Sequence, residues 1–262
     1  MPHDFSKPAN PNLAQLGRRR ALGALCALGT GGVVARFGGG LIAPARSATA
    51  AACTLSPSLT EGPYWVDERL NRYDITGGSV LAAIANARPL YLQVAIVDAS
   101  CQPLAGVQID IWHCHAAGSY SDENAASNGA STLGQTWLRG YRITGADGIA
   151  QFRTIYPGWY RGRTTHIHVR ARYYDGNGNT TYDWTTQLFF DDATSDGVFA
   201  SAPYTARAAG DVRNATDGIY ASSAGKTLLA LNEGDDGSFT GTATLALKLS
   251  TAADALWQDG FE

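Results

Sequence analysis

The sequence predicts an all-β sandwich, and three observations carry that expectation. Short runs rich in Val, Ile, Tyr and Leu recur along the chain, clusters of Gly, Asp, Asn and Pro punctuate them, and beyond residue 52 no stretch holds a helical period for more than a turn or two. Strands of this kind, alternating between a buried and a wet face, are stable when two sheets pack their apolar faces together.

The expected strands, in order, are 90–97, 107–115, 140–144, 149–155, 165–173, 186–190 and 242–249. The first run, PLYLQVAIV, alternates apolar and polar positions as a half-buried strand does. Residues 98–106 and 145–148 read as hairpin-type connections. Two long segments, 119–136 and 192–225, carry no clear pattern; loops of that length in a compact domain are functional or mobile. No internal repeat and no second module interrupts the series, and residues 251–262 form an unassigned tail.

The first 52 residues read differently. A polar, basic lead ends in Arg18-Arg19-Arg20, an apolar run rich in Gly and Ala follows, and small residues surround positions 43–52. That order is the pattern of a cleaved twin-arginine export signal, with residues 53–250 as the exported domain in the periplasm or outside a bacterial cell. Arg36 interrupts the apolar run, which argues against a membrane anchor. Residues 50–53 resemble a lipobox but lack its leucine, so Cys53 is read as an ordinary thiol or half of a disulfide. Removing the leader takes six of 20 basic and one of 23 acidic residues, leaving 14 against 22. A net charge of about −8 excludes nucleic acid as a natural partner. Three cysteines remain: Cys53, Cys101 and Cys114. In an oxidising compartment one pair is expected. Cys101 and Cys114 flank one strand and are poorly placed to meet, so Cys53–Cys101 is the preferred bond, although the sequence leaves the pairing open.

The chemistry concentrates in TIYPGWYRGRTTHIHV. In a strand, residues i and i+2 share a face, so His166 and His168 can present both imidazoles to one ion, with Tyr160 approaching from the strand's end. Tyr120 lies upstream. Phenolate donors demand a strongly Lewis-acidic metal, which favours ferric iron over zinc or calcium. A lone His-x-His pair is more often a surface feature, so the surrounding segments matter. One rival reading joins His166 and His168 to His113 and His115, from a second His-x-His, as a four-histidine copper or zinc site. A second rival is a non-catalytic binding sandwich.

The segments LTEGPYWVDE (59–68), LAGVQIDIWHCHAAGSYSD (104–122), TGADGIAQFRTIYPGWYRGRTTHIHV (144–169) and TTQLFFDD (185–192) resemble, in order and spacing, the landmarks of the intradiol ring-cleavage dioxygenases, and most closely the secreted members. The resemblance runs over about residues 53–220. It implies a β-sandwich that holds a non-haem Fe(III), with Tyr120 and His166 as equatorial and Tyr160 and His168 as axial ligands. It implies that Arg163 stands beside the bound ring, that Gln187 faces the substrate, and that Gly62, Pro63 and Tyr64 wall the pocket. The implied reaction opens a catechol-type aromatic diol with O2 to a cis,cis-muconate-type diacid, with Tyr160 also taking a substrate proton. The chain carries His115 where secreted members usually have Asp. Nothing in the sequence selects the catechol derivative or the oligomeric state.

Overall fold

The computed structural model describes residues 53–208 and 210–249. The expected export signal, residues 1–52 with Cys26, lies outside the described residues, as does the tail. The described residues form two four-stranded sheets. One has the order β4-β1-β8-β7, built from β1 (Pro89–Val97), β4 (Ile149–Ile155), β7 (Ala230–Glu233) and β8 (Phe239–Ala246). The other has the order β3-β2-β5-β6, built from β2 (Gln108–Trp112), β3 (Arg139–Ile143), β5 (His166–Tyr174) and β6 (Thr180–Phe189). All pairings are antiparallel except that of β1 with β8.

The core lies between the sheets. β1 contributes Leu90, Leu92, Val94 and Ile96, every second residue; the facing sheet contributes Ile109, Ile111, Ile167, Val169 and Leu188. Each such fully buried side chain is worth about 1.5–3 kcal/mol relative to exposure. The outer face of the second sheet is covered as well, which is why β5 is buried on both sides over His166 to Val169. Residues 59–72 form a strap across that face. Leu59 N–H donates to the Thr185 carbonyl (2.9 Å), and Tyr141 N–H donates to the Leu70 carbonyl (2.8 Å). Arg170 pairs with Glu61 at 2.6 Å and Arg172 with Asp67 at 2.9 Å, while both guanidiniums lie over the Trp65 ring, at 4.7 and 5.3 Å.

The sandwich is as expected, and β4 has the expected bounds. Several details differ: β2 ends at Trp112 rather than at residue 115, and β8 spans Phe239–Ala246 rather than 242–249. Residues 98–106 and 145–148 do not link paired strands: β1 and β2 belong to different sheets, as do β3 and β4. A tight turn does form at 98–102, where Asp98 N–H donates to the Gln102 carbonyl, before the chain crosses over. Hairpin-like turn residues mark both places, but a sheet change needs the same sharp reversal. β6 begins at Thr180 rather than 186, because TTYDW has a mostly polar surface and hides its period. β7, ALNE, has almost no buried side chain to announce it. The long segment 192–225 contains α3 (Asp192–Phe199), a 3-10 turn (Asn214–Thr216) and α4 (Gly218–Ser223), after the short helices α1 (Ala82–Ala85) and α2 (Ala125–Asn128). At two turns or fewer, such helices leave no readable periodicity. Their caps are visible, however: Asp191 accepts from Thr194 N–H, and Asp217 from Ile219 and Tyr220 N–H.

Cys53 and Cys101 form a disulfide, and Cys114 is a buried free thiol. Among the described residues no helix is long and apolar enough to cross a membrane.

Candidate metal centre

The site sits on the outer face of the second sheet, under the strap. Register puts Arg139, Trp112, His168 and Gln187 in one row across β3, β2, β5 and β6. Paired residues share a face, so all four point out of the sandwich core. His166 starts β5 and joins His168 on that face, as the i, i+2 spacing requires.

Each donor is fixed by its own partners. His166 Nδ1 lies 2.7 Å from the Thr164 carbonyl, so it carries the proton and leaves the Nε2 lone pair free. His168 stacks on Trp112 with centroids 4.7 Å apart and planes 6° apart. Gly62, at φ +73°, approaches so closely that an added Cβ would stand 3.2 Å from the His168 ring. Tyr120 is bolted through its backbone by one side chain: its N–H donates to Asn128 Oδ1, and Asn128 Nδ2 donates to its carbonyl, both at 2.8 Å. Its ring stacks on Tyr64 at 4.3 Å. Tyr160 follows a turn that packs backbone on backbone: a Cβ at Gly158 would lie 2.5 Å from the carbonyls of His115 and Ala116.

The polar ends converge. His166 Nε2 lies 3.1 Å from His168 Nε2, 3.3 Å from the Tyr160 hydroxyl and 3.5 Å from the Tyr120 hydroxyl. Donors held about 2.0–2.1 Å from a common ion at angles of 90–120° stand about 2.8–3.6 Å apart, so these separations suit one metal. Burial, reinforced by Arg163, lowers the His166 imidazole to about 3; burial and the neighbouring His166 hold His168 well below the ordinary histidine range. Both rings are therefore neutral donors at physiological pH. Burial raises the Tyr160 phenol to about 12 and that of Tyr120 well above 10. Ionised phenolates here need a strong positive charge beside them, and the buried N2O2 donor set fits ferric iron on those grounds.

Arg163 reaches the cluster from the turn before β5. Its Nη1 lies 3.5 Å from His166 Nε2, its Nη2 donates to Gln187 Oε1 at 2.6 Å, and its Nε donates to Asp217 Oδ2 at 2.8 Å. Gln187 in turn donates from Nε2 to the Thr60 carbonyl at 2.8 Å. The structure thus brings together seven of the expected residues, Tyr64, Tyr120, Tyr160, Arg163, His166, His168 and Gln187, with Gly62 against His168. Pro63 is exposed, and no polar contact links it to the cluster.

The second His-x-His does not join. His113 points into the sandwich, where Nε2 meets Thr154 Oγ1 at 2.7 Å and Nδ1 lies 2.9 Å from the Cys114 carbonyl. His115 stacks on Trp137 at 5.0 Å and accepts from Ala117 N–H at 3.1 Å. Among the described residues no three His, Cys, Asp or Glu side chains gather as a metal group, so the four-histidine reading has no geometry to stand on. Sequence reasoning missed Asn128, Arg139 and Asp217. Arg139 is almost fully buried; Nη1 donates to the Tyr64 carbonyl at 2.6 Å and Nη2 to the Ser121 carbonyl at 2.7 Å, tying the two stacked tyrosine segments together. Only Asp217, at the start of DGIYASS, carried a signal, that of a helix cap.

A family model described as Dioxygenase matches residues 61–193. Catechol 1,2-dioxygenase 1 of Acinetobacter lwoffii is 30% identical over 112 residues, which are 40% of this chain and 32% of that protein. The match therefore spans about a third of that relative's length. The solved intradiol ring-cleavage dioxygenase of Tetranychus urticae superposes with a TM-score of 0.62 at 28% identity, covering 76% of this chain and 97% of that one. The dioxygenase domain of a carbohydrate-binding fusion from Streptomyces sp. SirexAA-E gives 0.54 at 27% identity, covering 75% and 100%. The family match takes in half of the chain and includes every candidate ligand, and with the two-sheet architecture it makes this chain a member of the intradiol ring-cleavage dioxygenases.

Proposed function

We propose that the protein is a non-haem Fe(III) intradiol dioxygenase that opens a catechol-type ring with O2 to a cis,cis-muconate-type diacid. The observation that carries this reading is the convergence of two neutral imidazoles and two phenols within 3.5 Å of one nitrogen, His166 Nε2, in a buried site. Tyr120, Tyr160, His166 and His168 would hold the iron. Bound there, ferric iron would supply a Lewis-acidic template for both substrate oxygens and make the ring electron-rich enough to react with O2.

The chain's own groups do the rest. Tyr160 Oη, a strong base once ionised, is the group at hand to receive a proton from a substrate hydroxyl. Arg163 presents Nη1 to the cluster from a guanidinium held at two other corners, which suits it to stabilise negative charge as it develops on the ring. Gln187 anchors that guanidinium and ties it to the strap through Thr60. Tyr64 and Gly62 line the strap side, and the close packing of Gly62 on His168 helps to exclude water. We propose export through the twin-arginine route as the way an iron-loaded, folded enzyme leaves the cytoplasm.

The test is metal content. Purified protein lacking residues 1–52 should carry about one ferric ion per chain, be coloured by tyrosinate-to-iron charge transfer, and consume O2 with catechol. A colourless protein that binds zinc or copper instead would sink the reading.

A further inference from the structure

We infer that Asp217, on the N-terminal turn of α4, is the positioning residue that aims the Arg163 guanidinium at the reacting ring. This rests on the reading of Arg163 given under Proposed function. Asp217 lies 54 residues beyond Arg163 in the chain, and its side chain is 1% exposed. Its two oxygens have separate duties. Oδ1 accepts from Ile219 and Tyr220 N–H at 2.8 and 2.9 Å, which is the helix cap. Oδ2 accepts from Arg163 Nε at 2.8 Å and from Thr164 N–H at 2.9 Å, which has nothing to do with the cap.

That division makes the carboxylate a bracket between α4 and the turn before β5. A guanidinium is planar and rigid, so two anchors at different corners define both where it sits and which way its third corner points. Gln187 holds Nη2 and Asp217 holds Nε; the remaining corner, Nη1, is the one directed at the donor cluster. Gln187 alone would leave the plane free to swing about its single contact. Burial pushes the Asp217 carboxyl up, but the Thr164 N–H and Arg163 outweigh it and hold the group below the ordinary carboxylate range, so the anchor stays charged at working pH. Asn214 supports the same turn independently, accepting from Thr164 Oγ1 at 2.7 Å, so His166 does not depend on Asp217 for its Thr164 contact.

The informative variant is Asp217→Asn. Its amide oxygen can still cap α4, because Asn caps as well as Asp, whereas its NH2 would confront two donors, Arg163 Nε–H and Thr164 N–H. In iron-loaded protein lacking residues 1–52, this variant should lose tenfold or more in catechol turnover. Iron content, visible colour and the affinity for 4-nitrocatechol, read as a colour shift, should stay within about twofold of the parent. In the Arg163→Ala background the same change should cost little more, since its effect passes through a side chain already removed. Near-parental turnover of Asp217→Asn, loss of iron, or an undiminished effect without Arg163 would each overturn the inference. Should Asp217→Asn destabilise the protein, Asp217→Ser, a shorter cap with no carboxylate for Arg163, carries the same expectations. Failure of the underlying reading has a different signature: Arg163→Ala would itself keep near-full activity.

Discussion

At the residue scale the proposed function assigns some groups to the metal and others to the substrate, and the two should fail differently. Tyr120→Phe or His166→Ala removes a donor from a cluster whose members stand within 3.5 Å of His166 Nε2, so iron content should fall and colour fade. Arg163→Ala leaves all four donors, so iron and colour should persist while turnover drops on the order of a hundredfold. Retained ring opening in Arg163→Ala would reduce that residue to a structural role. The tyrosines also set a pH dependence. Burial raises both phenols, Tyr160 to about 12 and Tyr120 well above the ordinary tyrosine value, so the metal-free protein carries both protons at neutral pH. The lowered histidines carry none, because His166 titrates near 3 and His168 lower than an ordinary histidine. Binding iron as two phenolates thus expels about two protons, and affinity should rise up to about a hundredfold per pH unit across the neutral range. Competition against a chelator of known protonation measures this; a flat profile would mean that the tyrosines do not bind as phenolates. Three of the four residues that converge were legible because their spacing is local, with HIH in one strand and Tyr160 just before it, whereas Tyr120 stood out only through the family resemblance. Arg139 and Asp217 were not, because each acts through contacts far along the chain, and Asn128 was not, because it grips the Tyr120 backbone inside a loop that has no periodic pattern.

At the element scale, backbone packing decides where Tyr160 stands. Gly118 has φ +89°, and a Cβ there would lie 2.3 Å from the Trp159 carbonyl, directly beside Tyr160. Gly118→Ala must both pay for a left-handed backbone and push that carbonyl away, so it should destabilise by more than about 2 kcal/mol and loosen iron. Gly178, at φ +84° in the turn between β5 and β6, has open space around it. Gly178→Ala should therefore cost only the backbone contribution, about 1–2 kcal/mol, and leave iron untouched. Denaturation midpoints and iron content of the two variants test this directly; equal losses would remove close packing as the cause. The same distinction explains what the sequence let through about the fold. β1 and β4 were readable because one face is buried and the alternation is clean, as in Leu90, Leu92, Val94 and Ile96. β7, with no buried side chain, and α4, held by one capping aspartate, exist through tertiary contacts and left no period to read.

At the scale of the whole molecule, the proposed iron loading and export are linked to folding and oxidation through Cys53–Cys101. The bond joins residues separated by 48 positions and fastens the start of the described chain to the turn after β1, where Cys53 N–H also donates to the Ala99 carbonyl at 2.9 Å. Closing a loop of that length stabilises the native state by about 4 kcal/mol on a chain-entropy argument. The four proposed iron donors lie elsewhere, His166 and His168 on β5 and Tyr120 and Tyr160 in loops, and Cys114 takes no part in the bond. Iron can thus load before the disulfide forms, as the proposed twin-arginine route requires: the cytoplasm is reducing, and the folded enzyme meets an oxidising compartment only after transport. Replacing Arg18, Arg19 and Arg20 by Lys should hold the protein in the cytoplasm, coloured and iron-bound, with Cys53 and Cys101 both open to alkylation. The exported parent should carry the bond, resist alkylation at both positions and unfold at higher denaturant by an amount equivalent to about 2–4 kcal/mol. Mass spectrometry after alkylation, with iron analysis of each fraction, reads all of these at once. Continued secretion of the lysine variant would assign the leader to the general secretory route, and a trapped protein without iron would place metal loading after export.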